Sequence, residues 1–296
     1  GHTFGYVPVD TQYFFILLAL LLPLCLLVFP LRKTGKVGSR GTERALFGFD
    51  LLLMAAAIGA NVYLFTYARD IVNLGWEWAA PTHIQIASGI LWLLVLEATR
   101  RAAGLSVFLI VLVFSTYPLY GEWLPDPLET FENEPFGKTV AYHAISSESI
   151  LGIPFRAFAN LVIGFLMFGV ALQHTGGGKF FINLAFSLLG HVRGGPAKVA
   201  IFSSGLMGSM SGSVITNVLT TGSLSIPAMK RTGFKAHYAA GVEACASTGG
   251  VLMPPIMGAT AFIMAIYLNV PYSEIIIAAA IPSFLYFFGL FMQIDA

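Results

Sequence analysis

AKVAIFSSGLMGSMSGSVITNVLTTGSLSIP, residues 197–227, is apolar enough to enter a bilayer, yet Ser211-Gly212-Ser213 interrupts it at its centre. A straight helix gains nothing from such a centre, because Gly costs about 1 kcal/mol in a helix interior. Two half-length helices meeting at the tripeptide explain it better. The arms, 197–210 and 214–227, are each too short to cross a membrane. Both flanks are basic (Arg193 and Lys198, then Lys230 and Arg231). The spacing therefore predicts a re-entrant hairpin that enters and leaves on one side. Its tip would carry N–H and C=O groups with no helical partner, which lipid does not tolerate; such backbone belongs inside protein or beside a water-filled cavity. Helix N-terminal N–H groups there suit an anion, and carbonyls with the Ser211 and Ser213 hydroxyls suit a small cation. Small-residue helix packing is the competing explanation.

A second interruption follows. Residues 235–269 form one long apolar segment broken by Ser247-Thr248-Gly249-Gly250-Val251-Leu252-Met253-Pro254-Pro255. Proline removes a donor and disfavours helix in the residue before it, and Gly249-Gly250 lets the backbone unwind. Two broken elements this close together fit the discontinuous-helix design of transporters.

The rest of the chain sets the class. Apolar residue types make up 56% and charged ones 10%, against roughly 25% charged in soluble domains, and mean hydropathy is +0.78. The reading is an all-α polytopic membrane protein of seven to eight membrane segments plus the hairpin and the broken helix. Spans are expected at 13–31, 45–67, 84–96, 102–120 and 155–173, with 139–153 at the interface and 180–189 too short to cross. Trp76 and Trp78 suit a membrane–water boundary. Glu97 stands three and four residues before Arg100 and Arg101, so one helix face neutralises it. Asp50 and Glu274 lie near span ends and read as interfacial. Between 121 and 138, Glu122, Asp126, Glu129, Glu132 and Glu134 join Pro125, Pro127 and Pro135, marking a boundary between residues 1–138 and 139–296. Basic residues at 32–44 (Arg32, Lys33, Lys36, Arg40, Arg44), 100–101, 193–198 and 230–235 place those loops in the cytoplasm, and the amino terminus and acidic loop outside. The chain begins at Gly1 without a basic n-region, which suggests a piece upstream rather than a signal peptide.

Net charge of +1 points to no nucleic acid partner, and Cys25 and Cys245 with six scattered histidines give no metal-ligand spacing. Gly176-Gly177-Gly178-Lys179 lacks the Ser/Thr and the first Gly of a phosphate loop. An intramembrane serine hydrolase would use Ser211 with His237 as base, but 208–212 misses the Gly-x-Ser-x-Gly elbow. A passive channel is the third alternative; it would need neither receptor nor ion coupling. Glu243, the only carboxylate in 235–269, is either a proton-coupling site or the partner of Lys235, Arg231 or His237 near the cytoplasmic face. Met207, Met210, Met253 and Met257 read as packing.

The run GSMSGSVITNVLTTGSLSIPAMKRTGF (208–234), followed by STGGVLMPP (247–255), resembles the large M-type permease of tripartite ATP-independent periplasmic (TRAP) transporters. The lead-in HTGGGKFFINLAFSLLGHVRGGPAKVA (174–200) resembles the TAXI branch, in which small Q-type and large M-type parts are fused. The likeness covers about 150–282, and residues 1–138 would then be the Q-type scaffold. It implies one half of an inverted-repeat elevator transporter, with the second repeat supplied by a missing C-terminal half. The implied function is ion-coupled import of a small organic acid, a carboxylate delivered by a periplasmic substrate-binding protein, across the bacterial inner membrane. No cofactor is implied beyond a coupling cation, sodium or proton. By that resemblance Ser211, Gly212, Ser213 and Asn217 face an ion site, with Gly249, Gly250, Met253 and Pro254 beside it. Sodium would fall to Ser211, Ser213, Asn217, Gly250, Met253 and Pro254, and Thr220 and Thr221 would lie on the substrate side.

Overall fold

The computed structural model describes residues 9–31, 40–126 and 132–295. Arg32, Lys33, Lys36, Pro127 and Glu129 of the charge reading lie outside the described residues. Among the described residues the regular structure is entirely helical. The chain divides into two compact units, 1–156 and 157–296.

The first unit contains α1 (Asp10–Val28), α2 (Arg40–Thr66), α3 (Ala68–Asn73), α4 (Thr82–Thr116) and α5 (Phe136–Ile145). The two apolar segments expected around Glu97 and Arg100 are halves of α4, which breaks at Gly104 (φ 85°, ψ 176°). That φ is left-handed and suits only glycine. The halves fold back on each other, as α5 demonstrates: Val140 meets Gly89 and Phe136 meets Trp92, while one turn later His143 bonds the Ser115 carbonyl. A straight helix would hold residues 89 and 115 about 39 Å apart. The His143 Nε2–H donates to that carbonyl at 2.8 Å, which leaves Nδ1 to accept from the Ser149 hydroxyl at 2.8 Å. Burial lowers the imidazole's affinity for a second proton, so a neutral ring satisfies both neighbours.

Glu97 takes both arginines, as expected: Arg100 at 2.7 Å and Arg101 at 2.7 Å. Asp50, read as interfacial, is enclosed by protein. It is buried and holds Arg101 Nη1 at 2.7 Å, because Arg101 completes a second carboxylate pairing across α2 and α4. The Leu31 N–H also donates to Asp50.

The second unit begins within a continuous helical run of α6 (Ile153–Ala157), a π-turn (Phe158–Val162) and α7 (Ile163–His174). It continues with α8 (Gly177–Leu189), α9 (Gly195–Ser211), α10 (Val214–Arg231), α11 (Ala236–Gly250), α12 (Ala259–Tyr267) and α13 (Tyr272–Asp295). Over residues 180–189, α8 runs back along α9, with Gly178 against Met207 at its start and Gly190 beside Gly195 at its end.

Among the described residues five helical runs are long and apolar enough to cross a membrane: 10–28, 44–66, 82–119 (the two halves of α4 counted together), 153–171 and 272–295. The other segments anticipated from hydropathy are shorter or less apolar helices, among them α5, α8 and the arms of the two broken elements, of which α9 has 17 residues and α10 has 18. Large apolar side chains on α13, among them Ile277, Ile281 and Phe284, are exposed, as a lipid-facing surface requires. The chain is a multi-pass helical membrane protein.

Candidate functional site: the hairpin tip and its cover

Residues 197–227 are not one rod. α9 ends at Ser211, Gly212 adopts φ 58°, and Ser213 caps α10 by accepting from the Thr216 N–H. Only glycine turns the chain here without strain. A Cβ at Gly212 would also lie 2.1 Å from the Met257 carbonyl oxygen. The second arm continues past Pro227 to Arg231, a turn beyond its expected end. Lys230 and Arg231 there complement the carbonyl end of the helix dipole.

The second interruption covers the first. α11 runs unbroken to Gly250, so Ser247, Thr248 and Gly249 are helical rather than unwound, and the irregular stretch is 251–258. That stretch lies over the tip: the Ile256 N–H donates to the Ser209 carbonyl at 3.2 Å, and Met257 O abuts Gly212. Below it α9 and α11 cross where a Cβ on Gly208 would stand 2.2 Å from Gly250 Cα. α7 closes another side, since a Cβ on Gly169 would sit 2.4 Å from Met210 O. The tip is thus walled by backbone on three sides, which is how freed peptide groups survive at membrane depth.

One turn from the tip the arms are joined by side chains. Asn217 Nδ2 donates to the Ser204 carbonyl at 2.8 Å, and Ser204 Oγ lies 2.9 Å from Thr221 Oγ1. Both connect to Glu243 of α11, which is wholly buried. Its carboxylate accepts from Ser204 at 2.9 Å, from Ser247 at 3.0 Å, and from Thr221 and Ser225. The expected basic partners are not its partners. Among the described residues Glu243 has no ion pair with Lys235, Arg231 or His237, because α11 aims it between the hairpin arms.

The candidate residues therefore separate. Ser211, Gly212 and Ser213 form the tip. Asn217 and Gly250 lie beneath it, Gly250 with Asn217 Nδ2 only 2.7 Å from where its Cβ would be. Thr221 faces Glu243. Thr220 bonds Thr216 O and faces Gly178 of α8. Gly249 lies under the Tyr286 ring. The Met253 sulfur accepts from Ser283, and Met253 and Pro254 line an apolar cavity of about 700 Å³ against α13, away from the tip. Ser204, Ser225 and Ser247 were not singled out from the sequence. For Ser225 and Ser247 the signal is a four-residue polar repeat: Asn217, Thr221, Ser225 on α10 and Glu243, Ser247 on α11.

The geometry also removes the hydrolase. His237 opens α11 and Gly250 ends it beneath the tip, so helix length puts His237 about 20 Å away from the tip serines, beyond any proton transfer.

Residues 90–296 match the family model described as "Tripartite ATP-independent periplasmic transporter, DctM component". The chain belongs to this family. Its members are transporters and not enzymes. The match starts within the stretch assigned above to a Q-type scaffold. Among similar DctM-family proteins is the C4-dicarboxylate TRAP transporter large permease protein DctM of Pseudomonas aeruginosa, 29% identical over 191 residues, 64% of this chain and 38% of that protein. The Rhodobacter capsulatus protein of the same name is 32% identical over 114 residues, 38% of this chain and 24% of that one. The sialic acid TRAP transporter permease protein SiaT of Haemophilus influenzae is 33% identical over 130 residues, 44% and 21% of the two chains. The matches thus span 21% to 38% of these relatives' lengths. No solved structure matches.

Proposed function

We propose that this chain is the first half of an M-type transport region, preceded by a Q-type scaffold at about 1–138, in a TAXI-type TRAP permease of the bacterial inner membrane. The permease imports a small organic acid, handed over by a periplasmic substrate-binding protein, by moving the hairpin unit as an elevator. Relatives named for C4-dicarboxylates and sialic acid support a carboxylate as the substrate class. A second repeat beyond this chain completes the solute site. The basic loops face the cytoplasm.

The observation that carries this reading is the convergence of the two interrupted helices. Residues 251–258 lie over Gly212, and the Ser211 and Ser213 hydroxyls stand at the tip with a fresh helix N-terminus behind them. Hydroxyl and carbonyl oxygens are the donor set that suits a small monovalent cation, and N-terminal N–H groups suit a carboxylate.

Reconstitution of the permease with its receptor in liposomes tests it. Labelled dicarboxylate should accumulate under a sodium or a proton gradient. Uptake without either gradient, or without receptor, would point to a passive channel and sink the proposal. Ser213→Ala should weaken apparent cation affinity by about tenfold, which is what about 1.4 kcal/mol of lost ligation amounts to, with folding retained. Unchanged cation dependence in that variant would reduce Ser213 to its capping role.

A further inference from the structure

Glu243 is a formal charge placed where lipid-embedded proteins rarely keep one, and the ion site proposed at the tip does not use it. Its surroundings specify what it can bind. The carboxylate has about four acceptor positions, and each hydroxyl has one proton to give. Ser204, Thr221 and Ser247 meet Oε1 and Ser225 meets Oε2. Three hydroxyls meet the two acceptor positions of Oε1, and Ser204 has Thr221 Oγ1 at 2.9 Å as a second acceptor for its proton, so both oxygens of the ionised form are held by hydroxyl donors and one position of Oε2 stays open.

The neutral acid is provided for as well. Its O–H needs an acceptor, so one hydroxyl must turn its own proton elsewhere. Thr221 can do this: its Oγ1 lies 2.8 Å from the Asn217 carbonyl. In the acid form Glu243 donates to Thr221 Oγ1, and Thr221 donates to Asn217 O. One proton is gained, no covalent bond in the protein breaks, and the group passes from −1 to neutral with every polar hydrogen still placed.

We infer that Glu243, caged by Ser204, Thr221, Ser225 and Ser247, is a proton-binding site between the hairpin and α11. A proton fits better than a metal cation. It adds no volume to a site where a Cβ on Gly222 would already stand 3.1 Å from Glu243 Cγ, whereas a metal ion requires all four hydroxyls to turn their hydrogens outward.

No nearby group competes for the role. α9 carries Lys198, which is engaged by Asp295 of α13. α10 carries Lys230 and Arg231 in its last turn, beyond Ser225. α11 itself carries His237 and Cys245, and α13 adds Tyr286, whose hydroxyl donates to Cys245 O. Among the described residues none of these bonds Glu243.

Hydrogen bonds to a carboxylate are about twice as strong as neutral ones, so the ionised form grips both arms firmly and the acid form releases part of that grip. Asn217, where the relay ends, also donates its N–H to Ser213 O at the tip. Proton occupancy is thereby linked to the packing of the hairpin. The link to transport rests on the carrier reading above; the proton site itself rests on the geometry alone.

The test is pH-difference infrared spectroscopy on the purified full chain in lipid. Wild type should show a buried carboxylic C=O band that appears on acidification and is lost in Glu243→Gln. Thr221→Val and Ser225→Ala, which keep Glu243, should shift that band; they decide the matter if Glu243→Gln fails to fold. Sodium added at fixed pH should leave the band unchanged. Absence of the band, its persistence unaltered in all three variants, or its displacement by sodium would overturn the assignment. Loss of uptake in liposomes would strike the carrier reading and leave this spectrum untouched, and the converse also holds.

Discussion

Replacing Gly208 by alanine should destabilise the second unit by about 3 kcal/mol or more, at the upper end of what overpacking costs. The new methyl would stand 2.2 Å from Gly250 Cα and 2.7 Å from Gly250 C. Those are backbone atoms, so no side chain can swing aside, and α9 and α11 must part. Separation would draw Ser204 away from Glu243 and strain the Ile256 to Ser209 bond that holds the cover over the tip. Gly241→Ala on the same α11 is the control, because nothing lies within 4 Å of its Cβ position. There alanine should be neutral or stabilise by up to about 1 kcal/mol from helix propensity. Denaturant unfolding in micelles compares the two, with amide exchange of residues 204–258 as the local readout. Equal stability of the two variants would mean that the crossing at Gly208 is not as close as described.

Arg101→Met should cost the first unit about 3–5 kcal/mol, the range for breaking a buried ion pair by removing one partner. The Arg101 side chain is 3% exposed and that of Asp50 8%, so the orphaned carboxylate would have neither water nor a second guanidinium. Arg100→Met removes the other partner of Glu97, but Arg100 is 38% exposed; it should cost no more than about 1 kcal/mol. The double variant Asp50→Leu with Arg101→Met should recover much of the loss, since an apolar pair needs no compensation. Unfolding midpoints of the three variants check the ordering. If Arg100→Met proved the more damaging, Arg101 would not be the centre of this cluster.

The hairpin was legible in the sequence because Ser211-Gly212-Ser213 is a local signal: turn residues amid apolar ones mean the same thing in any context. The second break was legible in kind and misplaced in position. Ser247 to Gly250 look like unwinding residues, yet they stay helical because their smallness serves close packing, Gly250 on Gly208 and Gly249 under Tyr286. Thr220 and Thr221 were treated as a pair, although adjacent helical residues face different ways. Glu243 was the hardest to place. Arg231, Lys235 and His237 are near it in the chain, but they stand twelve, eight and six residues before it, and three of its four real partners come from two other helices. Which face of α11 meets the hairpin is a tertiary fact. The four-residue polar repeats on α10 and α11 point to it only once the hairpin is known to pack there.

The glycines around the tip have a consequence for how such a carrier can change its diet. Peptide groups look alike whatever gene encodes them, so an enclosure built from Gly169, Gly208, Gly212 and Gly250 offers mutation almost nothing to tune. A substitution there obstructs; it does not retarget. New preferences for one solute over another would have to arise in side chains bordering the enclosure.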